Sequence, residues 1–148
     1  MNHDAYPAGY TQAELAKVKT IAVIGASPNE ARPSFGVMRF LISRGYVLTP
    51  VNPGQAGGEI LGQTVVASLK DLPEAVDMID VFRASEAIPG VAEEILALPW
   101  KPKLVWLQLG IRNDNSAEKL EAAGITVIMN RCPAIEIPRL FGASSPRG

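Results

Sequence analysis

The apolar positions of this chain fall into short runs separated by amphipathic stretches. Thr20-Ile21-Ala22-Val23-Ile24-Gly25-Ala26 is rich in β-branched residues, too short for a helix and stopped by glycine, so a buried strand is predicted over 20–26. Further strands are predicted over 46–51, 60–66, 77–82, 104–109 and 125–129. Helical patterns alternate with them. Pro33 suits a first helical turn, where its missing N–H costs nothing, and Phe35, Met38, Phe40, Leu41 and Ile42 follow it up to Gly45. Ile88, Val91, Ala92, Ile95 and Leu96 share one face of a helix predicted over 85–98, with Ser85 as its cap. Another helix is predicted over 115–123, closed by Gly124. Ahead of the first strand, Thr11 and Glu14 read as a capping box for a helix over 12–18. Residues 1–10 read as a flexible arm, because Pro7 and Gly9 interrupt any regular element, and 145–148 as a frayed tail. One domain, 11–144, is left between them.

Strands that are apolar on both faces and alternate with helices imply a three-layer α/β sandwich. Its centre is a mostly parallel sheet of five to six strands, with helices on both faces. Such sheets take ligands beyond the carboxyl ends of their strands, where the strand order switches. The strand exits therefore hold the candidate chemistry. At the first exit, Gly25 and Ala26 permit close approach to the backbone, and Ser27 offers a hydroxyl. Arg32 and Pro33 open a helix whose free N–H groups favour an anion. The spacing matches neither the dinucleotide fingerprint nor a P-loop, since the glycine after Gly25 is Gly36 and no Gly-Lys-Ser/Thr follows. At the second exit, Asn52 and Pro53 stand where an NAD site places an acid for the ribose, and Asn-Pro-Gly also reads as a plain tight turn. After the fourth strand, Val81, Phe82 and Arg83 offer ring contact and a cation. Gln108, Leu109 and Gly110 after the fifth read either as a ligand-facing turn or as an amide satisfied by neighbouring backbone. At the sixth, Arg131 is a candidate anion contact. Cys132 reads either as a thiol activated by that arginine or as inert packing.

Composition narrows the function classes. A length of 148 residues fits one domain. A net charge of −1 lacks the basic excess of nucleic-acid binders. One cysteine rules out an intrachain disulfide and a multi-thiolate metal site, and suits the cytoplasm. The opening residues lack the basic and apolar regions of a signal peptide, and no apolar run is long enough to span a membrane. The only histidine, His3, falls in the arm, so a Ser-His or Cys-His pair is not expected. Asp77, Asp80, Glu93, Glu94 and Asp114 form no evident acid/base pair. The expectation is a binding protein without its own catalysis.

The segments IAVIGASPNEARPSFGVMRFL, VNPG, EILGQ, VDMIDVFR, VWLQLGI and MNRCPAIEIPRL, in this order, resemble the small bacterial CoA-binding proteins. They are similar in turn to the CoA-binding domain of the succinyl-CoA synthetase α subunit. The resemblance runs from about residue 12 to about residue 141. It implies a Rossmann-like fold and a coenzyme A or acyl-CoA ligand. It also implies that Gly25, Ala26, Ser27 and Arg32 hold phosphates and that Asn52 and Pro53 line the adenosine side. Val81, Phe82 and Arg83 would contact the nucleotide, and Gln108, Leu109 and Gly110 would flank the pantetheine. Relatives often carry lysine where this chain has Gly54, and aspartate where it has Asn130. The phosphorylated histidine of the synthetase lies in another domain, so the resemblance carries binding and not ligase activity. A homodimer or a CoA-using enzyme is the expected protein partner. The competing reading is an NAD(P)-dependent oxidoreductase, or a CoA-dependent transferase acting with a partner.

Overall fold

The structure, a computed structural model, describes residues 1–142, so the tail expected at 145–148 lies outside the described residues. Seven strands are present among the described residues: β1 Thr20–Ile24, β2 Val47–Val51, β3 Glu59–Ile60, β4 Gln63–Thr64, β5 Met78–Val81, β6 Leu104–Leu107 and β7 Thr126–Ile128. The helices are α1 Tyr10–Leu15, α2 Pro33–Ser43, α3 Ile88–Leu96, α4 Asp114–Ala122 and α5 Pro133–Phe141. Five strands make one sheet in the order β2-β1-β5-β6-β7, with every neighbouring pair parallel.

The pleat sends successive side chains to opposite faces, and both faces are covered. Ala22 and Ile24 of β1, with Ile79 and Val81 of β5, pack against Ile88, Val91 and Ile95 of α3 and Leu120 of α4. Ile21 and Val23, with Met78, Leu104 and Trp106, pack against Leu15 of α1, Met38 and Leu41 of α2, and Ile137 of α5. The chain is therefore a Rossmann-like three-layer α/β domain.

Several sequence expectations give way to packing. The strand expected over 60–66 splits into the β3–β4 hairpin, outside the main sheet, and a single parallel bridge from Val66 to Val51. A Leu61-Gly62 turn divides it, with both residues at positive φ, as a tight two-residue hairpin turn requires. Thr11 caps nothing: α1 begins at Tyr10 after Gly9, and Thr11 is buried. Ser85 opens a 3-10 turn ahead of α3, and its hydroxyl accepts the Arg112 N–H instead of capping the helix. Helix α5, absent from the predicted pattern, forms despite an internal Pro138 because its Ile137 face is buried against the sheet.

The first ten residues differ most from expectation. His3 is only 6% exposed. Its Nδ1 lies 2.7 Å from the Tyr6 hydroxyl, and its Nε2 lies 3.3 Å from Glu121 Oε1. Polar ties of this kind leave no hydrophobic period, so the segment reads as an arm in the sequence.

One core position is chemically anomalous. Asp80 is 0% exposed, in register between Val23 and Trp106, and neither carboxylate oxygen has a hydrogen-bond partner. Burial raises its pKa well above the ordinary carboxylate value. The opposite case is Asp77, at the amino end of β5. Burial alone would raise that carboxyl, but N–H groups of Lys19 and Thr20 and the Lys103 ammonium hold it below its usual value.

Because the folded state holds the Asp80 proton more tightly than the unfolded chain, its contribution is fully present below the unfolded carboxyl value. It is lost as pH rises toward the folded value. Asp80→Asn removes that titration. Urea unfolding is expected to show a gain of about 1–3 kcal/mol at pH 7.5 and almost none at pH 4. An equal change at both pH values would contradict a raised Asp80.

Candidate functional site

β1 and β5 are neighbours, yet the helices they feed lie on opposite faces of the sheet, α2 on one and α3 on the other. Their exits diverge, and a crevice opens at the carboxyl ends of the strands. An open cavity of about 880 Å³ fills it, toward the upper end of the usual small-molecule range of roughly 300–1,000 Å³.

The β1 exit forms one wall. Gly25 has φ +78, and a Cβ there would collide with the Phe82 carbonyl oxygen, so glycine is required twice over. Beyond it the backbone turns tightly on itself. Ser27 N–H donates to Ser34 Oγ at 3.2 Å, Asn29 N–H to Ser27 Oγ at 3.1 Å, and Ala31 N–H to Asn29 Oδ1 at 2.9 Å. Both serine hydroxyls thus accept within the turn and keep their O–H hydrogens to donate elsewhere. Arg32 immediately precedes α2, with Pro33 in the helix's first turn.

Asn52 ties the β2 exit to this wall. Its Nδ2 donates to the Ala26 carbonyl at 2.7 Å, and its Oδ1 accepts Gly54 N–H at 2.9 Å. The Asn-Pro-Gly turn is therefore both a turn and part of the cavity. From β5 come Phe82, half-buried, and Arg83, exposed. Arg32 and Arg83 face the cavity without an ion pair to any carboxylate among the described residues. Two unneutralised cations around a helix N-terminus make this end attractive to phosphate.

The opposite wall comes from β6 and β7. Gln108 and Leu109 line it, together with Ile111 and Cys132. Gln108 Oε1 is buried without a partner, an acceptor ready for a ligand N–H or O–H. The two exits are cross-tied: Gly110 N–H donates to Asn130 Oδ1 at 2.7 Å, and Asn130 N–H to the Ile111 carbonyl at 3.2 Å. Asn130 has φ +58, a left-handed conformation that Asn and Asp tolerate best. An amide oxygen serves this tie as a carboxylate oxygen would.

Of the candidate residues, Gly25, Ala26, Ser27, Arg32, Pro33, Asn52, Pro53, Phe82, Arg83, Gln108, Leu109 and Cys132 lie around the cavity. Three do not. Val81 is fully buried in the core facing α3, because strand alternation turns it away from its neighbour Phe82. Gly110 serves the Asn130 tie. Arg131 turns outward, its guanidinium 5.1 Å from the Tyr6 ring centre and hydrogen-bonded to the Met129 and Asn130 carbonyls. Cys132, the one cysteine of the chain, therefore lines the wall without the Arg131 guanidinium beside it in the lining. Sequence reasoning missed Ser34, Val37, Ala67, Ser68, Glu94 and Ile111. Ser34 and Val37 follow from the first turns of α2. Ala67 and Ser68 reach the wall only through the Val51–Val66 bridge, which no local pattern signals.

No helix among the described residues is long and apolar enough to cross a membrane, and no cluster of His, Cys, Asp and Glu there could hold a metal. Residues 19–138 match the family described as the CoA binding domain. The uncharacterised protein YneT of Bacillus subtilis (strain 168) is 40% identical over 118 residues, spanning 80% of this chain and 84% of that one. The ADP-forming acetate–CoA ligase II of Archaeoglobus fulgidus is 33% identical over 83 residues, which are 55% of this chain and 12% of that enzyme. The solved structure of cell-free ID.343 from Thermus thermophilus superimposes with a TM-score of 0.83 and 45% identity, over 95% of this chain and all of that one. Together with the parallel sheet and its cavity, these matches establish that the chain belongs to the CoA binding domain family.

Proposed function

We propose that this chain binds coenzyme A, or an acyl-CoA, in the crevice between the β1 and β5 exits, without catalysis of its own. The observation that carries the reading is the pair of unpaired cations, Arg32 and Arg83, in a cavity that opens on the N-terminus of α2. Phosphates would meet Arg32, Arg83 and the free hydroxyl hydrogens of Ser27 and Ser34. Adenosine would lie toward Asn52, Pro53 and Phe82. The pantetheine arm would run toward Gln108, whose unpaired Oε1 suits an amide N–H, and past Leu109.

The NAD alternative is less well served. Asn52 spends its side chain on Ala26 and Gly54, and no acid stands at the β2 exit to hold a ribose. Nor does a nucleophile stand beside a base among the described residues. His3 pairs with Tyr6 and Glu121, and no histidine lines the cavity with Cys132. The family resemblance to the ligases concerns a small part of those enzymes, so a protein partner that uses the bound CoA is a further part of this proposal.

Calorimetric titration with CoA, acetyl-CoA, dephospho-CoA, NAD and NADP tests the reading. CoA is expected to bind and NAD is not. Arg32→Ala is expected to weaken CoA ~10- to 100-fold, the scale of one charge-assisted contact, with the fold retained. Binding of NAD(P) alone, or an Arg32→Ala affinity equal to wild type, would sink the proposal.

Gly54 gives a second expectation. Its φ is ordinary, and a Cβ there would meet only Asn52 Oδ1, at 3.4 Å. Gly54→Lys is therefore tolerated and adds a cation at the adenosine end. CoA should tighten by about three- to tenfold at low salt while dephospho-CoA stays unchanged. An equal gain for both ligands would remove the 3′-phosphate from the account.

A further inference from the structure

We propose that the N-terminal segment, residues 1–9, is a strap that holds the β6–β7 wall of the cavity in its ligand-ready position, with Tyr6 as the positioning residue. The segment contributes no residue to the cavity lining. It grips the two loops that carry that lining.

The first grip is on the β7 exit. Tyr6 Oη accepts the Met129 N–H at 2.8 Å, three residues before Cys132. The Tyr6 O–H then donates to His3 Nδ1 at 2.7 Å, which leaves His3 Nε2–H to donate to Glu121 Oε1 of α4 at 3.3 Å. The chain runs in one direction from the Met129 backbone to a carboxylate, with each donor matched to one acceptor. Burial raises the Tyr6 pKa, which keeps its proton in place for this chain. The Arg131 guanidinium, 5.1 Å from the Tyr6 ring centre, closes over the same contact.

The second grip is on the β6 exit. Arg112, one residue beyond Ile111, reaches Asp4 Oδ1 at 2.9 Å and the His3 carbonyl at 3.4 Å, while its Nε holds Asp114 at 2.7 Å. The Asn130 tie joins both exits, so the strap, the β6 exit and the β7 exit form one closed circuit of polar contacts.

The strap lies outside the sheet, with the Tyr6 ring packed on the core cluster. A polar cleft of about 170 Å³ runs between it and α5, lined by Tyr6, Gly9, Gln12, Arg131 and Arg139 among others. A segment held by polar ties and one packed ring over such a cleft opens at lower cost than the sheet beneath it. Its release would free Met129–Cys132 and Ile111 while leaving the Arg32 end of the cavity untouched.

The binding readout rests on the proposed CoA site; the exchange readout does not. Tyr6→Phe keeps the ring and removes only the hydroxyl. In the full chain, amide hydrogen exchange at residues 129–132 is expected to accelerate about five- to tenfold, with the β1 and β5 amides unchanged. CoA should weaken by a similar factor, while adenosine 3′,5′-bisphosphate, which reaches only the Arg32 end, keeps its wild-type affinity. Asp4→Ala, at an exposed position, cuts the second grip and should act in the same direction at residues 111–112. Unchanged exchange at 129–132 overturns the strap whether or not CoA binds. Equal losses for CoA and the bisphosphate overturn it too, because they mark a general loosening. If wild type ignores CoA but exchange responds as described, the strap stands and the CoA reading falls.

Discussion

The close approach of Gly25 to the Phe82 carbonyl decides where the cavity of this molecule opens. It brings the exits of β1 and β5 together at the single point where the chain reverses its direction of building across the sheet. From there α2 leaves toward one face and α3 toward the other. Any side chain at position 25 would push the two exits apart and force a residue into a backbone conformation that costs about 1 kcal/mol or more. With glycine there, two backbones meet, the crevice has a floor, and Arg32 and Arg83 come to its rim from different strands.

The remaining walls are held by side-chain amides. Asn52 fastens the β2 exit to Ala26, and Asn130 fastens the β6 exit to the β7 exit. Each uses one short side chain to satisfy backbone groups that a loop would otherwise leave to water. The cavity-lining residues are thereby fixed by neighbouring backbone rather than by one another. Asp80 lies two residues before Phe82 on the same strand, buried without a partner. An unpaired carboxyl so close to the exit of β5 is a local cost among the apolar neighbours Val23 and Trp106. Local costs of this kind gather near functional sites.

Much of this was legible in the sequence for a physical reason. A buried parallel strand must be apolar on both faces, so β1, β5 and β6 announce themselves, and with them the exits where chemistry belongs. Gly25, Arg32, Arg83 and Gln108 are candidates from their place at the strand exits, whereas Asn52 reads locally as a tight turn and becomes a candidate only through the family resemblance. What stayed hidden depends on contacts between distant parts of the chain. Val81 was misjudged because the last strand residue faces the core while the next faces the cavity. Ala67 and Ser68 reach the wall through one bridge, and His3 is buried by two hydrogen bonds rather than by hydrophobic period. Helix α5 was missed because Pro138 argues against a helix locally, and only burial of Ile137 overrules it.

The central claim is that a CoA phosphate group docks at the β1–α2 turn beneath Arg32. Amide-resolved NMR during a CoA titration tests it most directly. The account predicts saturable shifts concentrated at Ala26, Ser27, Ser34, Arg83 and Gln108, with the amino-end residues Lys19, Asp77 and Lys103 unmoved. Saturable shifts elsewhere on the surface, with the β1–α2 turn silent, would contradict it.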